Sequence, residues 1–145
     1  MFKSNANPIE YILAGNPNAP ASLLEKLAES TNIAVRARVA ENPSTPVNMQ
    51  LKLLKDNSPD VRLGLSFNPM LPSHFLMLLA TDNDPDVRLS LAENHKAPKV
   101  LLKSLEKDEN PYVAHTARKT LSKISPPQQS VAQHTASQKV AVSVA

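Results

Sequence analysis

The sequence contains no cysteine, no tryptophan and only two glycines, and aromatic residues make up 3% of its 145 residues. Without cysteine there is no disulfide framework, no thiolate metal site and no cysteine nucleophile. Gly15 and Gly64 are too few for a glycine-rich phosphate-binding loop. These absences argue against a disulfide-stabilised scaffold, a nucleotide-binding enzyme and cysteine-dependent catalysis.

The sequence also lacks long apolar segments. No apolar run approaches the length that spans a membrane, and residues 1–8 lack the apolar region of a secretory signal. We therefore expect a cytoplasmic protein with no membrane partner. The absence of cysteine fits a reducing compartment.

Candidate metal ligands and catalytic residues are sparse. The four histidines are too scattered for a local zinc motif; they are His74, His95, His115 and His134. Residues 82–86 mimic the first half of a calcium loop, but the later glycine and glutamate are missing, and Asp84-Pro85 fits a helix cap better. We predict no catalytic residue, no metal and no cofactor, and therefore no enzymatic activity.

The 13 prolines are regularly placed and mark an internal repeat. Valine recurs in the same sequence context every 26 residues, at Val35, Val61, Val87 and Val113. Self-similarity at such a period is typical of a solenoid. With 41% apolar residues, the chain has the composition of a folded domain, and its length suits a single domain.

The period divides the chain into units. Residues 1–8 lead into a helical array over 9–124. Residues 125–145, rich in Ser, Gln, Ala and Val, are predicted to form a disordered tail, or a linear segment that orders on a partner. The first unit is the least regular, as terminal repeats usually are. The array comprises units 9–34, 35–60, 61–86 and 87–112 and a half unit, 113–124.

Each unit is predicted to hold two short helices. The first begins at a capping residue followed by proline, as in Asp84-Pro85, and ends at an asparagine before the next proline. The second begins with proline at its first helical position and carries leucines at amphipathic-helix spacing. The capping residues are Ser58, Asp84 and Asn110, and the second-helix prolines are Pro20, Pro46, Pro72 and Pro98. The fold class is therefore all-α, with about four and a half two-helix units.

The repeated pattern resembles that of the leucine-rich repeat variant family over about Ile9–Leu121. The residues that carry it are Val61-Arg62, Leu65-Ser66, Asn68-Pro69, Pro72, Leu76, Leu79 and Asp82. The segment Asp84–Arg88 also looks like HEAT-like α-solenoids. The resemblance implies a right-handed superhelix of α and 3₁₀ or short α helices that serves mostly in protein–protein interaction. The cysteine-bound iron–sulfur segment of the founding member has no counterpart here, because this chain has no cysteine.

An arginine recurs directly after the repeated valine, at Arg36, Arg62 and Arg88. In the structural interpretation, each guanidinium joins adjacent units by pairing with an aspartate; the candidates are Asp60, Asp86, Asp56, Asp82 and Asp108. In the functional interpretation, the arginines line a groove for an anionic ligand, and the column could meet about three phosphates. We favour the structural interpretation.

An asparagine recurs where each first helix ends, at Asn16, Asn42, Asn68 and Asn94. Such a side chain can bond backbone groups at a helix end and turn, which is the interpretation we favour. A ladder of asparagines that binds a ligand is the alternative.

The basic residues are concentrated in the C-terminal third. Residues 1–95 hold 8 Lys and Arg against 10 Asp and Glu, whereas residues 96–145 hold 8 against 3. The candidate basic patch comprises Lys96, Lys99, Lys103, Lys107, Arg118, Lys119 and Lys123. It is interpreted either as a solvated cap of the array or as a docking site for an acidic protein or a nucleic acid.

The predicted function is that of a non-catalytic scaffold that binds a protein partner through outward-facing positions where the units differ. Examples are Arg38, Gln50, Lys52, His74 and Met77. The alternative is nucleic-acid binding through the C-terminal basic patch.

Overall fold

The computed structural model describes residues 7–125, which form nine α-helices and no strand. The predicted all-α class is confirmed for this part of the chain. The helices are α1 (Pro8–Ala14), α2 (Ala21–Leu27), α3 (Ile33–Glu41), α4 (Val47–Leu53), α5 (Pro59–Ser66), α6 (Ser73–Leu79), α7 (Pro85–Glu93), α8 (Lys99–Leu105) and α9 (Pro111–Ile124). Most of the predicted N-terminal lead, and the predicted disordered tail beyond Ser125, lie outside the described residues.

Most odd-numbered helices begin with proline after a capping residue. Asp84 accepts a hydrogen bond from the Asp86 backbone N–H at 2.9 Å, and Asn110 does the same for Tyr112. Ser58 differs from the prediction because its side chain makes no capping hydrogen bond. Its own backbone N–H instead donates to the Asp56 carboxylate at 2.9 Å.

The even-numbered helices begin one residue later than predicted. Their prolines are N-caps and not first helical residues: Pro20 has an extended ψ of 146° and makes no side-chain capping bond. The carbonyl oxygen of Pro20 nevertheless accepts hydrogen bonds from the N–H groups of Leu23 and Leu24. Proline suits this position because its ring holds φ at the required value and it has no backbone N–H to satisfy.

Each odd-numbered helix contacts the next odd-numbered helix along the chain. Each even-numbered helix packs against the odd-numbered helices that precede and follow it. The repeated valines lie at most 1% exposed in this layer. Because residues 26 positions apart occupy equivalent sites, their side chains join into one continuous hydrophobic core.

Gln50 lies in this core, contrary to the prediction that it faces outward. Its side chain is 1% exposed and occupies the register of Leu24 and Leu102, which are completely buried. Its Nε2 donates to the Thr45 carbonyl at 3.0 Å, whereas its Oε1 has no partner among the described residues. The fourth residue after the proline faces the odd-numbered helices whatever its polarity, because helix geometry sets its direction.

Two asparagines of the repeated column connect successive units directly. Nδ2 of Asn68 donates to the carbonyl oxygens of Ala40 and Asn42, both at 2.8 Å, and its Oδ1 accepts from the Met70 N–H. Asn42 makes the same bonds to Ala14 and Asn16 of the first unit. The hydrogen bond that each asparagine accepts within its own turn was predicted from the sequence. The bonds to the preceding unit depend on tertiary packing.

We expect Asn68→Ala to lower the free energy of unfolding by about 3 kcal/mol, because it removes three hydrogen bonds from a buried site. The matched control is Asn94→Ala. This residue is half-buried and its side chain bonds only the Lys96 N–H among the described residues, so a loss of about 1 kcal/mol or less is expected. Urea denaturation measures both values, and equal losses would contradict the connecting role of Asn68.

Candidate functional site

The arginine column forms ion pairs with the aspartates at the ends of the even-numbered helices. Nε and Nη2 of Arg62 donate to the two carboxylate oxygens of Asp82 at 2.7 and 3.0 Å, and Nη1 donates to the Asp56 carbonyl at 2.7 Å. The other two pairs have the same two-point geometry; they are Arg36–Asp56 and Arg88–Asp108. The fork of donors in arginine matches a carboxylate and a carbonyl at once.

The pairs join into a ladder because Asp56 and Asp82 each bind two arginines, whereas Asp108 at its end binds only one arginine of the described region, Arg88. The Asp56 carboxylate binds Arg36, and its backbone carbonyl binds Arg62 of the next unit. The Arg62 and Asp82 side chains are only 16% and 8% exposed. These contacts engage all three guanidinium nitrogens of Arg62, which favours the structural interpretation of the column over an anion-binding groove.

The ladder lowers the pKa of its aspartates below their usual value of 3.8. Burial alone would raise the pKa of Asp82. The hydrogen bond from Arg62, the backbone N–H of Asp84 and the charges of Arg62 and Arg88 outweigh that effect. Burial likewise opposes the shift at the other two aspartates, and the pKa of Asp56 is lowered by Arg36, the Ser58 N–H and Arg62, that of Asp108 by Arg88 and the Asn110 N–H. The carboxylates therefore stay charged in the folded chain at pH values where unfolded aspartate takes up protons.

A depressed pKa in the folded state contributes stability above the unfolded pKa, and this stability is lost as pH falls through the folded pKa. We therefore expect thermal unfolding to shift to lower temperature once pH drops below about 3.8.

Arg62→Met should lower the free energy of unfolding by about 3 kcal/mol near pH 6, because it leaves the largely buried Asp82 charge without a partner. The loss should be much smaller at pH 2.

The control for this prediction is Lys52→Met. Lys52 pairs with Glu29 at 2.6 Å, but both side chains are more than half exposed, so a far smaller loss of stability than for Arg62→Met is expected. Urea titrations at the two pH values measure both variants. A loss for Arg62→Met that is the same at pH 6 and pH 2 would show that the ion pair is not its source.

A cleft of about 540 Å³ lies beside the turns that follow α5 and α7. Its lining combines the apolar Phe67, Leu71 and Leu76 with the polar Asn94 and Lys96. Among the described residues, the amide nitrogen of Asn94 makes no hydrogen bond, unlike those of the two preceding asparagines. The cleft therefore lies where the asparagine connections stop.

Ser90 and His95 depart from the repeat and line this cleft, whereas Gly64 lies at the junction of α5 and α3. A Cβ atom on Gly64 would lie 2.7 Å from the Ala37 carbonyl oxygen, so glycine permits the close approach of α5 to α3. One unit later the same register holds Ser90, whose hydroxyl lies 2.8 Å from that of Ser66. His95 also replaces the repeated proline. Sequence reasoning missed the cleft, although these substitutions were its visible signal.

The seven residues of the predicted basic patch are all exposed, but they do not form one stripe. Lys99, Lys103 and Lys107 follow one face of α8 and the turn after it, at four-residue spacing. Lys119 and Lys123 follow a stripe of α9, while Arg118 donates to the Glu106 carbonyl at 3.1 Å, beside the end of α8. Lys96 lines the cleft.

The other candidate residues do not assemble a reactive centre. Across residues 7–125, no three His, Cys, Asp or Glu side chains are grouped so that they could hold a metal ion. His74, His95 and His115 are exposed, and His134 lies outside the described residues. Arg38 pairs with Glu41 at 2.7 Å and lies over the Tyr11 ring.

Within residues 7–125, no helix combines the length and the apolar character that a membrane span requires.

Comparisons with models of protein families, with curated proteins and with solved structures each returned no match.

Proposed function

We propose that residues 9–124 form a right-handed α-solenoid of about four and a half units, resembling the leucine-rich repeat variant family. Support comes from the contacts between successive odd-numbered helices and from hydrogen bonds that repeat at 26-residue intervals. A helix pair cannot bury its apolar stripe alone, whereas stacked pairs bury it continuously.

The proposed function is to bind a protein partner without catalysis. The observation that carries this proposal is the apolar surface on the outward faces of α4, α6 and α8, where Leu51, Met77, Leu78 and Val100 are exposed. Contiguous apolar patches on the surface of a folded chain often mark interaction sites. The cytoplasm is the proposed location, because a chain without cysteine requires no oxidising compartment.

The second candidate function is nucleic-acid binding through the C-terminal basic residues. Lys99, Lys103 and Lys107 supply three positive charges on one face. Three phosphate contacts would give a slope of about −3 in a plot of log affinity against log salt concentration.

The architecture is tested by deleting residues 87–112, one complete unit. Val113 then takes the place of Val87, so we expect a shorter chain with helical circular dichroism and cooperative unfolding. The control deletion, residues 87–99, removes half a unit and places polar residues in core positions. If both deletions unfold the chain equally, the proposal of exchangeable units is wrong.

The binding function is tested with a photo-reactive phenylalanine analogue at Met77, in cells that express the chain. We expect a covalent adduct of discrete size that contains a second polypeptide and is unchanged by nuclease. The control position is Asp60, an exposed polar residue of α5. An adduct that nuclease removes would support the nucleic-acid alternative, and the absence of any adduct at Met77 would contradict the proposed surface.

A further inference from the structure

The basic residues of the two parts of the chain differ in how they are neutralised. Five Lys and Arg side chains before residue 96 form ion pairs; they are Arg36, Arg38, Lys52, Arg62 and Arg88. Among residues 96–125, none of the basic side chains has a carboxylate partner within residues 7–125. All 13 Asp and Glu residues of the chain lie in this described range. The C-terminal positive charges are therefore available to carboxylates from outside the chain.

The lysine stripe of α8 is not required by the fold. Lys99 and Lys103 lie four residues apart on α8, where like charges repel and destabilise a helix, and Lys107 follows in the turn. In the second unit, the registers of Lys99 and Lys103 hold Val47 and Leu51, which shows that the helix forms without lysine there.

On the two preceding even-numbered helices the register of Lys103 is apolar, whereas that of Lys99 holds Val47 and Ser73 and that of Lys107 holds Lys55 and Thr81. Leu51 on α4 and Met77 on α6 occupy the register of Lys103 and are 43% and 38% exposed. Val47 and Leu78 lie on the outer faces of these helices, and each is more than half exposed. The outer face thus exposes apolar side chains on α4 and α6 and three lysines along α8 and the turn after it.

We propose that this outer face, defined by Val47, Leu51, Met77, Lys99, Lys103 and Lys107, docks an acidic amphipathic segment of another protein. Its apolar side chains contact α4 and α6, and its carboxylates meet the lysines of α8. The inference rests on the proposed protein-binding function and adds to it the surface and the chemistry of the partner. Charge complementarity sets the orientation, and the apolar contacts supply buried area.

A nucleic acid fits this surface less well. The apolar side chains of α4 and α6 offer nothing to a phosphate backbone, and single-stranded nucleic acids bind largely by stacking on aromatic side chains. The exposed tyrosines and phenylalanine of the described chain lie on odd-numbered helices or at their caps; they are Tyr11, Phe67 and Tyr112. The occupant that matches both halves of the face is therefore a protein segment.

The test is a selection of random 16-residue peptides on the immobilised full-length chain, followed by affinity measurement for the enriched peptides by fluorescence anisotropy. We expect enriched sequences with several Asp or Glu near one end and apolar residues at helical spacing near the other. Lys103→Glu and Met77→Ser should each weaken binding by at least tenfold. Both positions are exposed, and circular dichroism verifies that the variants fold.

The matched control is Lys119→Glu, which makes the same charge change on α9 and should leave binding within twofold. Enriched peptides without acidic character, or equal weakening by the control, would overturn the docking face while leaving the protein-binding function in place. If no peptide is enriched and duplex DNA of matched charge binds instead, both the docking face and the protein-binding function are wrong.

Discussion

The fold depends on side chains of one unit that bond the backbone of the unit before it. Asn42 and Asn68 insert their amide groups between two carbonyl oxygens of the preceding helix end and turn. Arg62 does the same on another edge, where it bonds the Asp56 carbonyl while it holds the Asp82 carboxylate. Hydrophobic contact between helices has no strict register, whereas these directional bonds do. These bonds fix the register of one unit on the next, while burial of the valine layer supplies most of the driving force for packing.

The connections are not uniform along the chain, and this variation creates surface features. The asparagine bonds join the first three units, while Asn94 bonds only the turn that follows it among the described residues. The cleft beside Phe67 lies at this step. The arginine ladder continues past it, because Arg88 still binds Asp108 and the Asp82 carbonyl. The two edges of the same junction therefore differ in how tightly they are joined, and the opening lies on the asparagine edge.

Each even-numbered helix has a buried side that packs against the neighbouring helices and an exposed side that is free to bind a partner. The buried side of α8 needs Leu101, Leu102 and Leu105, which are at most 2% exposed. The fold requires no particular residue type on the outer side, and the residues there differ from unit to unit. Because the outer residues contribute little to stability, their apolar and basic character is available for binding a partner.

Much of the fold was predictable from the sequence because it follows from local rules. Proline, the capping residues and leucine spacing predicted the helices of the described region, and the 26-residue period predicted which residues share a register. The positive charge of the C-terminal third also follows from the sequence alone. Tertiary structure decided which side of a helix met another unit. Only the tertiary structure shows that Gln50 is buried and that Asn68 bonds the preceding unit. It also shows that Arg62 pairs with Asp82 and that a cleft lies beside Asn94. Each of these outcomes depends on distances between units, and a one-dimensional pattern contains no such distances.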